Sequence, residues 1–388
     1  MKTIPYGKQF VNKEDIQAVI DVLKSAWITQ GPKIEEFEAA LCKYTGAKYA
    51  VVVSNGTAAL HLSCLAAGIK QGDEVITSPI TFVASANCVL YCGGRPIFAD
   101  VEGDTANIAP QNIEKKINKK TKAIIPVHFA GHPCDLQEIK NIANKRNLLV
   151  IEDAAHALGA EYKGSKIGSC RYSDMTIFSF HPVKSITTGE GGAITTNNKK
   201  LYEKLMMLRS HGITKDSSKF KVKRPKAQGG WYHEMQCLGF NCRITDFQCA
   251  LGISQLKKLD KFIQKRREIV KIYNKKFGNN NFFELPVEKD YVKSSWHLYP
   301  IRLKDGYKKR KKAIFTKLRS QGVGAQIHYI PVYLQPYYRH LGYRNELCPH
   351  AQAYYQRTIT LPLYPTMTQA QIKRVIQVTK TIIAKYGR

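Results

Sequence analysis

Residues 179–196 read "SFHPVKSITTGEGGAITT" and place a single lysine, Lys184, between an apolar run and a glycine-rich turn. Ahead of it stands "DMTIFSF" (174–180) and behind it "GGAITT" (191–196), both β-branched or aromatic and of strand length. A turn rather than a helix joins them, which predicts a local departure from a parallel arrangement. Lys184 by itself reads as one more solvated lysine, so only its surroundings give it meaning.

Upstream, five further runs have strand character: "YAVVVS" (49–54), "DEVITS" (73–78), "RPIFADV" (95–101), "KAIIPVH" (122–128) and "LLVIED" (148–153). Amphipathic segments such as "TAALHLSCLAAGI" (57–69) and "DLQEIKNIANKRN" (135–147) separate them. This βαβ series predicts an α/β fold with a mainly parallel sheet, helices on both faces and ligands at the carboxyl ends of the strands. After residue 198 come a helix ending in "RSHG", a basic polar stretch over 213–230 and one long helical pattern over 244–276. "SSWHLYPIRL", "KAIFTKLRSQG", "VGAQIHYIPV" and the closing "TQAQIKRVIQVTKTIIAKY" read as a smaller α+β unit. The expected division is a large domain over 1–245, with an N-terminal arm, and a small C-terminal domain over 246–388.

The composition, 44% hydrophobic and 23% charged over 388 residues, is that of a globular protein with at least one large core. No run approaches the roughly 18 to 20 apolar residues that span a bilayer, and "MKTIPYGKQFVNKED" lacks a signal-peptide core, so no membrane association and a cytoplasmic location are expected. Ten cysteines lie scattered without paired spacing and read as reduced and mostly buried. Cys237, Cys242 and Cys249 match no zinc spacing, so no metal is expected. The net charge of +30 by itself suggests a polyanionic partner. Its lysines are nevertheless dispersed, apart from short clusters at "KVKRPK" (221–226) and "YKKRKK" (307–312), and no helix-turn-helix or zinc module accompanies them. No specific nucleic-acid partner is expected, and the dispersed lysines read first as an ordinary solvated surface rich in lysine over glutamate.

Four features fall at predicted strand ends. "SNGTAAL" (54–60) runs through Gly56 and Thr57 straight into a helix, where exposed N–H groups beside a hydroxyl make a phosphate cradle, although the same tripeptide also serves as a plain turn. "PITFVASAN" (79–87) sets Phe82 at a helix start, either to stack on a flat ring or to join the core. In "VIEDAAHALGA" (150–160), Glu152 and Asp153 end an apolar strand, where an unpartnered carboxylate is costly. Lys184 follows 31 residues after Asp153. A phosphate cradle, a stacking aromatic, a carboxylate for a pyridinium nitrogen and a condensing amine are together what pyridoxal 5'-phosphate requires.

With those residues in place, the chain resembles the DegT/DnrJ/EryC1/StrS family of fold-type I sugar-nucleotide aminotransferases over nearly its whole length. The motifs are "TQGPKIEEFE", "VSNGTAALHL", "PVHFAGHPCD", "IEDAAHALGA", "FSFHPVKSITTGEGGAI", "RSHGI", "LGFNCRITDFQCALGISQL", "WHLYPIRL", "QIHYIPVY" and "TLPLYP". The resemblance implies a fold-type I transferase dependent on pyridoxal phosphate, with Lys184 holding the cofactor and shuttling protons and Asp153 at the pyridine nitrogen. It further implies that Phe82 stacks on the ring and that Gly56, Thr57 and Ser179 lie at its phosphate. His156, where many relatives have glutamine, would face the cofactor hydroxyl. Asn241 would reach the cofactor phosphate of a second subunit, implying a homodimer with shared sites. Tyr6, Trp27, Thr29, Gln326, His328 and Tyr329 match positions of the sugar-nucleotide pocket; for Trp27 and the tyrosines, core or interface packing is the alternative. The opening segment and "QIHYIPVY" are most similar to the branch acting in pseudaminic acid synthesis. That branch aminates a UDP-linked 4-keto-6-deoxy-N-acetylhexosamine with L-glutamate as donor. Other nucleotide keto sugars, UDP-bacillosamine-type or dTDP- or GDP-linked, are the alternative substrates. A family branch that replaces the lysine by histidine and dehydrates sugars is set aside because Lys184 is present.

Overall fold

A computed structural model describes residues 3–222, 229–344 and 347–386. Its central strands are β1 (Tyr49–Val53), β2 (Glu74–Thr77), β3 (Arg95–Phe98), β4 (Thr121–Ile125) and β5 (Leu149–Asp153). A small hairpin, β6 (Glu161–Tyr162) and β7 (Ser165–Lys166), precedes β8 (Met175–Ser179) and β9 (Gly192–Thr196). Seven of these form one sheet in the order β1-β9-β8-β5-β4-β2-β3. Pairing is parallel from β8 through β3, and β9 alone opposes its neighbours β8 and β1. The turn after Lys184 therefore produces the expected break in the parallel pattern, and all seven sequence-predicted strands are present.

Apolar residues on both faces explain why these strands read as continuous hydrophobic runs. Alternate side chains go to opposite cores. Val51, Val53, Ile151 and Ile177 pack with Leu60, Leu62 and Leu205 on one face, whereas Ala50, Val52 and Phe178 pack with Phe37, Leu41 and Leu259 on the other.

Three further strands, Phe283–Glu284, Tyr299–Leu303 and Thr358–Leu361, make a separate antiparallel sheet. Tyr273, Phe277, Leu318, Val375 and Ile383, from the helices Leu259–Phe277, Lys311–Ser320 and Gln369–Tyr386, close its core. Ile4 joins that core, its N–H donating to the Gly322 carbonyl at 2.9 Å while its carbonyl accepts from Gly324 N–H at 2.8 Å. This anchor brings Tyr6 over His328, with ring centroids 5.3 Å apart.

The long helical pattern over 244–276 is two helices, Asp246–Leu256 and Leu259–Phe277. Neither glycine nor proline marks the break. Tertiary contacts surround it: Gln255 donates to Asp15 and to the Phe10 carbonyl, and Lys258 reaches Asp15 at 2.7 Å. All ten cysteines are free, six of them buried and four partly buried. Among the described residues, no helix is long and apolar enough to cross a membrane. The basic cluster at 221–226 lies outside the described residues from 223 onward.

Candidate active site

The carboxyl ends of β1, β2, β5 and β8 surround one cleft of about 660 Å³. Its lining includes Gly56, Thr57, Phe82, Asp153, His156, Ser179, Lys184, Tyr6, His328 and Tyr329, so ten sequence-predicted positions converge. Trp27, Thr29, Gln326 and Asn241 do not line it within one chain. Trp27 is exposed, while Thr29 bridges to Thr245, Gln326 to Thr360 and Asn241 to Ser210 through backbone.

Strand alternation separates the two adjacent carboxylates of β5. Glu152 accepts hydrogen bonds from Thr176 Oγ1 at 3.1 Å and from Ser173. His128 Nε2 lies 2.7 Å from Glu152, and since His128 Nδ1 accepts from Cys134 N–H, the imidazole proton sits on Nε2 and points at the carboxylate. Glu152 is thus consumed by structure. Asp153 lines the cleft instead, its Oδ2 accepting from Ser85 Oγ at 2.5 Å and its Oδ1 from Ala155 N–H at 3.1 Å. Thr81 Oγ1 lies 2.6 Å from Ser85 Oγ. Because the Ser85 proton goes to Asp153, Thr81 donates to Ser85, and the relay holds the carboxylate in one orientation.

The helix Gly56–Ala66 begins at the cleft wall, with Asn55 as its cap accepting from Ala58 N–H at 2.8 Å. A Cβ at Gly56 would lie 2.9 Å from Ser179 Cβ, and one at Gly192 2.6 Å from the Asn55 carbonyl. Glycine at both positions lets β8, β9 and the helix start meet closely, leaving backbone N–H groups toward the cleft as an anion site. Phe82 is 60% exposed, an aromatic face that the protein leaves uncovered inside a cleft.

Lys184 has its amine pushed down to about 8 by burial, with Asp153 pulling the other way. An amine near 8 has a substantial neutral fraction, as a nucleophile and proton carrier needs. Burial first, then Lys184 and His328, hold the His156 imidazole well below its usual range. His328 is likewise pushed down to about 3, by burial and then Lys184. Both rings are neutral near pH 7. Burial raises the phenols of Tyr6 and Tyr329, so these keep their protons.

Sequence reasoning did not single out Ser85, Thr81, Asn55, His181 or Glu190, all of which line the cleft. Asn55 carried a readable signal, an asparagine directly before an apolar helix. Ser85 and Thr81 carried none, because their role depends on a carboxylate 68 residues away from Ser85 in sequence.

A model of the DegT/DnrJ/EryC1/StrS aminotransferase family matches residues 9–380. The UDP-4-amino-4,6-dideoxy-N-acetyl-beta-L-altrosamine transaminase of Campylobacter jejuni is 42% identical over 385 residues, covering 98% of each chain. The Bacillus subtilis spore coat polysaccharide biosynthesis protein SpsC is 40% identical over 388 residues, covering 98% of this chain and 97% of its own. Among solved structures, Helicobacter pylori PseC, an aminotransferase involved in the biosynthesis of pseudoaminic acid, superposes with a TM-score of 0.91 at 35% identity. That match covers 99% of this chain and 100% of PseC. The PLP form of a sugar aminotransferase described as putative, Spr1654 from Streptococcus pneumoniae, superposes with a TM-score of 0.91 at 30% identity, covering 99% of each chain.

Proposed function

The chain belongs to the DegT/DnrJ/EryC1/StrS aminotransferase family, and from that premise we propose that it aminates a UDP-linked 4-keto-6-deoxy-N-acetylhexosamine at C4. L-Glutamate is the donor, pyridoxal 5'-phosphate the cofactor and pseudaminic acid biosynthesis the setting. The observation that carries this reading is the meeting of Lys184, Asp153, Phe82 and the Gly56 helix start in one cleft. The Campylobacter and Helicobacter relatives support the substrate.

The residues fit that cofactor. The close glycine contact between Gly56 and Ser179 leaves room for a phosphate at a helix N-terminus, where N–H groups and the macrodipole favour an anion. Asp153, accepting from two donors, presents negative charge suited to a protonated ring nitrogen. Phe82 offers the stacking face. Bound pyridoxal phosphate supplies the electron sink through which an amino group leaves one carbon skeleton and joins another. Lys184 Nζ takes a proton from carbon and returns one, a task suited to an amine whose neutral and charged forms are both populated near pH 8. Glutamate leaves as 2-oxoglutarate, and the keto sugar leaves as an amino sugar. Tyr6, His328 and Tyr329 form a wall of neutral hydrogen-bonding groups for the sugar, while Trp27, Thr29 and Gln326 belong to the nucleotide end. We assign Asn241 to the cofactor phosphate of a second copy, making the working unit a cytoplasmic homodimer.

The test mixes purified protein with pyridoxal phosphate, glutamate and the UDP-4-keto-6-deoxy-N-acetyl-L-altrose-series sugar, following absorbance and product mass. Bleaching of the visible band by glutamate, its return with the keto sugar and a new amino sugar are expected. No response to glutamate overturns the reading. Bleaching without return keeps the transaminase and discards the sugar. The Bacillus relative then directs attention to other nucleotide keto sugars, tested as a UDP, dTDP and GDP panel.

A further inference from the structure

The amino ends of β4 and β5 carry a second cavity, at the end of the sheet opposite the cleft. It measures about 460 Å³ and lies between the turn that starts β4 and the end of the helix Leu136–Arg146. Lys119, Lys122 and Arg146 line it together with Asn118, Thr121 and Asn147, and no carboxylate is in the lining. All three cations are exposed. Residues 115–122, "KKINKKTK", hold five lysines and no acid, and the helix end adds Lys145 and Arg146. Among the described residues, none of these cations has an ion-pair partner. Glu74, the carboxylate hydrogen-bonded to this turn, accepts from Asn118 Nδ2 at 2.7 Å and not from a lysine.

Backbone hydrogen bonds hold these charges where they are. Asn118 N–H donates to Thr121 Oγ1 at 3.0 Å, Thr121 N–H donates to the Asn118 carbonyl at 3.1 Å, and Lys120 N–H donates to Asn118 Oδ1 at 2.8 Å. The Lys120 carbonyl accepts from Glu74 N–H at 2.8 Å, which ties the turn to β2. On the other side the helix closes on Asn147, at φ 53°, and Leu148 N–H donates back to the Ala143 carbonyl at 2.9 Å. That cap engages the end of the helix through backbone groups and leaves the Arg146 guanidinium uncommitted. A solvated lysine-rich surface keeps its charges apart; here cations from two segments face one cavity, and their repulsion goes uncompensated until an anion enters. The cavity is of a size that takes several linked phosphates. No aromatic ring lines it, so it offers nothing on which a base could stack.

We infer that this cavity binds a chain of linked phosphates, either inorganic polyphosphate or the tail of a nucleoside triphosphate. Arg146 serves as a two-pronged donor, and Lys119 and Lys122 act as point charges. The inference does not rest on the transaminase reading, because the cavity shares no lining residue with the cleft. The length of β5, about 13 Å from Leu149 to Asp153, separates the two.

The test titrates tripolyphosphate into the full chain by calorimetry at low salt, with pyridoxal phosphate in excess to occupy the cleft. One saturable event per chain is expected, weakened about tenfold in Arg146→Gln and about tenfold in Lys122→Gln. A control that removes three charges elsewhere, Lys308→Gln with Lys309→Gln and Lys312→Gln, should change the affinity less than about twofold, since distant exposed charges are screened. Binding that never saturates, or an equal loss in the control, overturns the proposal. Acetylation of the wild type, read by mass spectrometry, needs no variant to fold. Tripolyphosphate should abolish labelling of Lys119 and Lys122 and spare Lys308 and Lys309; uniform protection, or none, overturns the site. Adenosine and uridine triphosphates distinguish the two sources. Affinities matching tripolyphosphate mean that the phosphate chain alone is read, whereas a nucleotide bound more than about tenfold tighter overturns recognition through phosphates alone.

Discussion

Burial desolvates the ammonium of Lys184, in the segment after β8, as it does that of Lys311, but of the two only Lys184 lines the cleft with Asp153. The sign of the effect is set by burial: the charged form is penalised, so the amine releases its proton near 8 rather than near the 10.5 of an ordinary lysine. In the cofactor-free protein, its capture of an aldehyde should rise about tenfold per pH unit up to about pH 8 and then level, whereas a solvated lysine keeps rising toward roughly pH 10. A rate still climbing at pH 9.5 refutes the placement. Replacement by alanine should leave a protein that binds pyridoxal phosphate non-covalently and turns over about a thousandfold more slowly. Ser85 makes a second, independent prediction. Ser85→Ala removes the donor at 2.5 Å from Asp153 and should weaken cofactor binding about fivefold, read by absorbance titration, with the fold intact by circular dichroism.

A buried ion pair holds β1 to the elements around it. Arg209, from the helix Lys199–Arg209, donates to Glu38 at 2.6 Å and to the Val52 carbonyl at 2.9 Å, while Val52 N–H donates to Glu38 at 3.0 Å. The helix Pro32–Thr45 that carries Glu38 is itself capped by Asp246, which accepts from Gly31 and Lys33 N–H groups. Burial pushes the Glu38 carboxyl up and Arg209 draws it back down. Arg209→Ala therefore leaves a buried carboxylate unpaired and should cost about 3–5 kcal/mol in denaturant unfolding at neutral pH. The folded-state pKa of Glu38 then rises further above its unfolded value. Below neutral pH the native state binds the extra proton first, so the deficit should shrink on acidification. Adding Glu38→Gln should recover part of the loss; no recovery means the damage is to packing rather than charge.

Asn241 stands apart from the cleft of its own chain, bridging Ser210, although its motif belongs to the cofactor site by resemblance. The homodimer proposed above, with its sites shared between copies, would reconcile the two. Mixing Lys184→Ala with Asn241→Ala chains after partial unfolding and reassociation should restore activity toward about a quarter of wild type. In a random mixture half the dimers are hybrids, and each hybrid rebuilds one intact site. Activity that stays at the level of the separate mutants would show that each chain completes its own site.

Periodicity alone disclosed the seven strands of the main sheet, because parallel strands buried on both faces must be apolar throughout and a turn after Lys184 forces β9 to run backwards. Residue type and position at strand ends pointed to Lys184, the Glu152–Asp153 pair, Phe82 and the Gly56 turn, since an unpaired carboxylate or amine in such a place is costly without a purpose. Which of Glu152 and Asp153 faces the cleft was decided by three dimensions, through His128, Ser173 and Thr176 on one side and Ser85 on the other. The break between the helices Asp246–Leu256 and Leu259–Phe277 was decided the same way, by Asp15 drawing in Gln255 and Lys258. Local sequence reports what each segment needs to bury. The partner that satisfies a particular oxygen or ring nitrogen lies tens to hundreds of residues away, and only the folded chain brings it within hydrogen-bond reach.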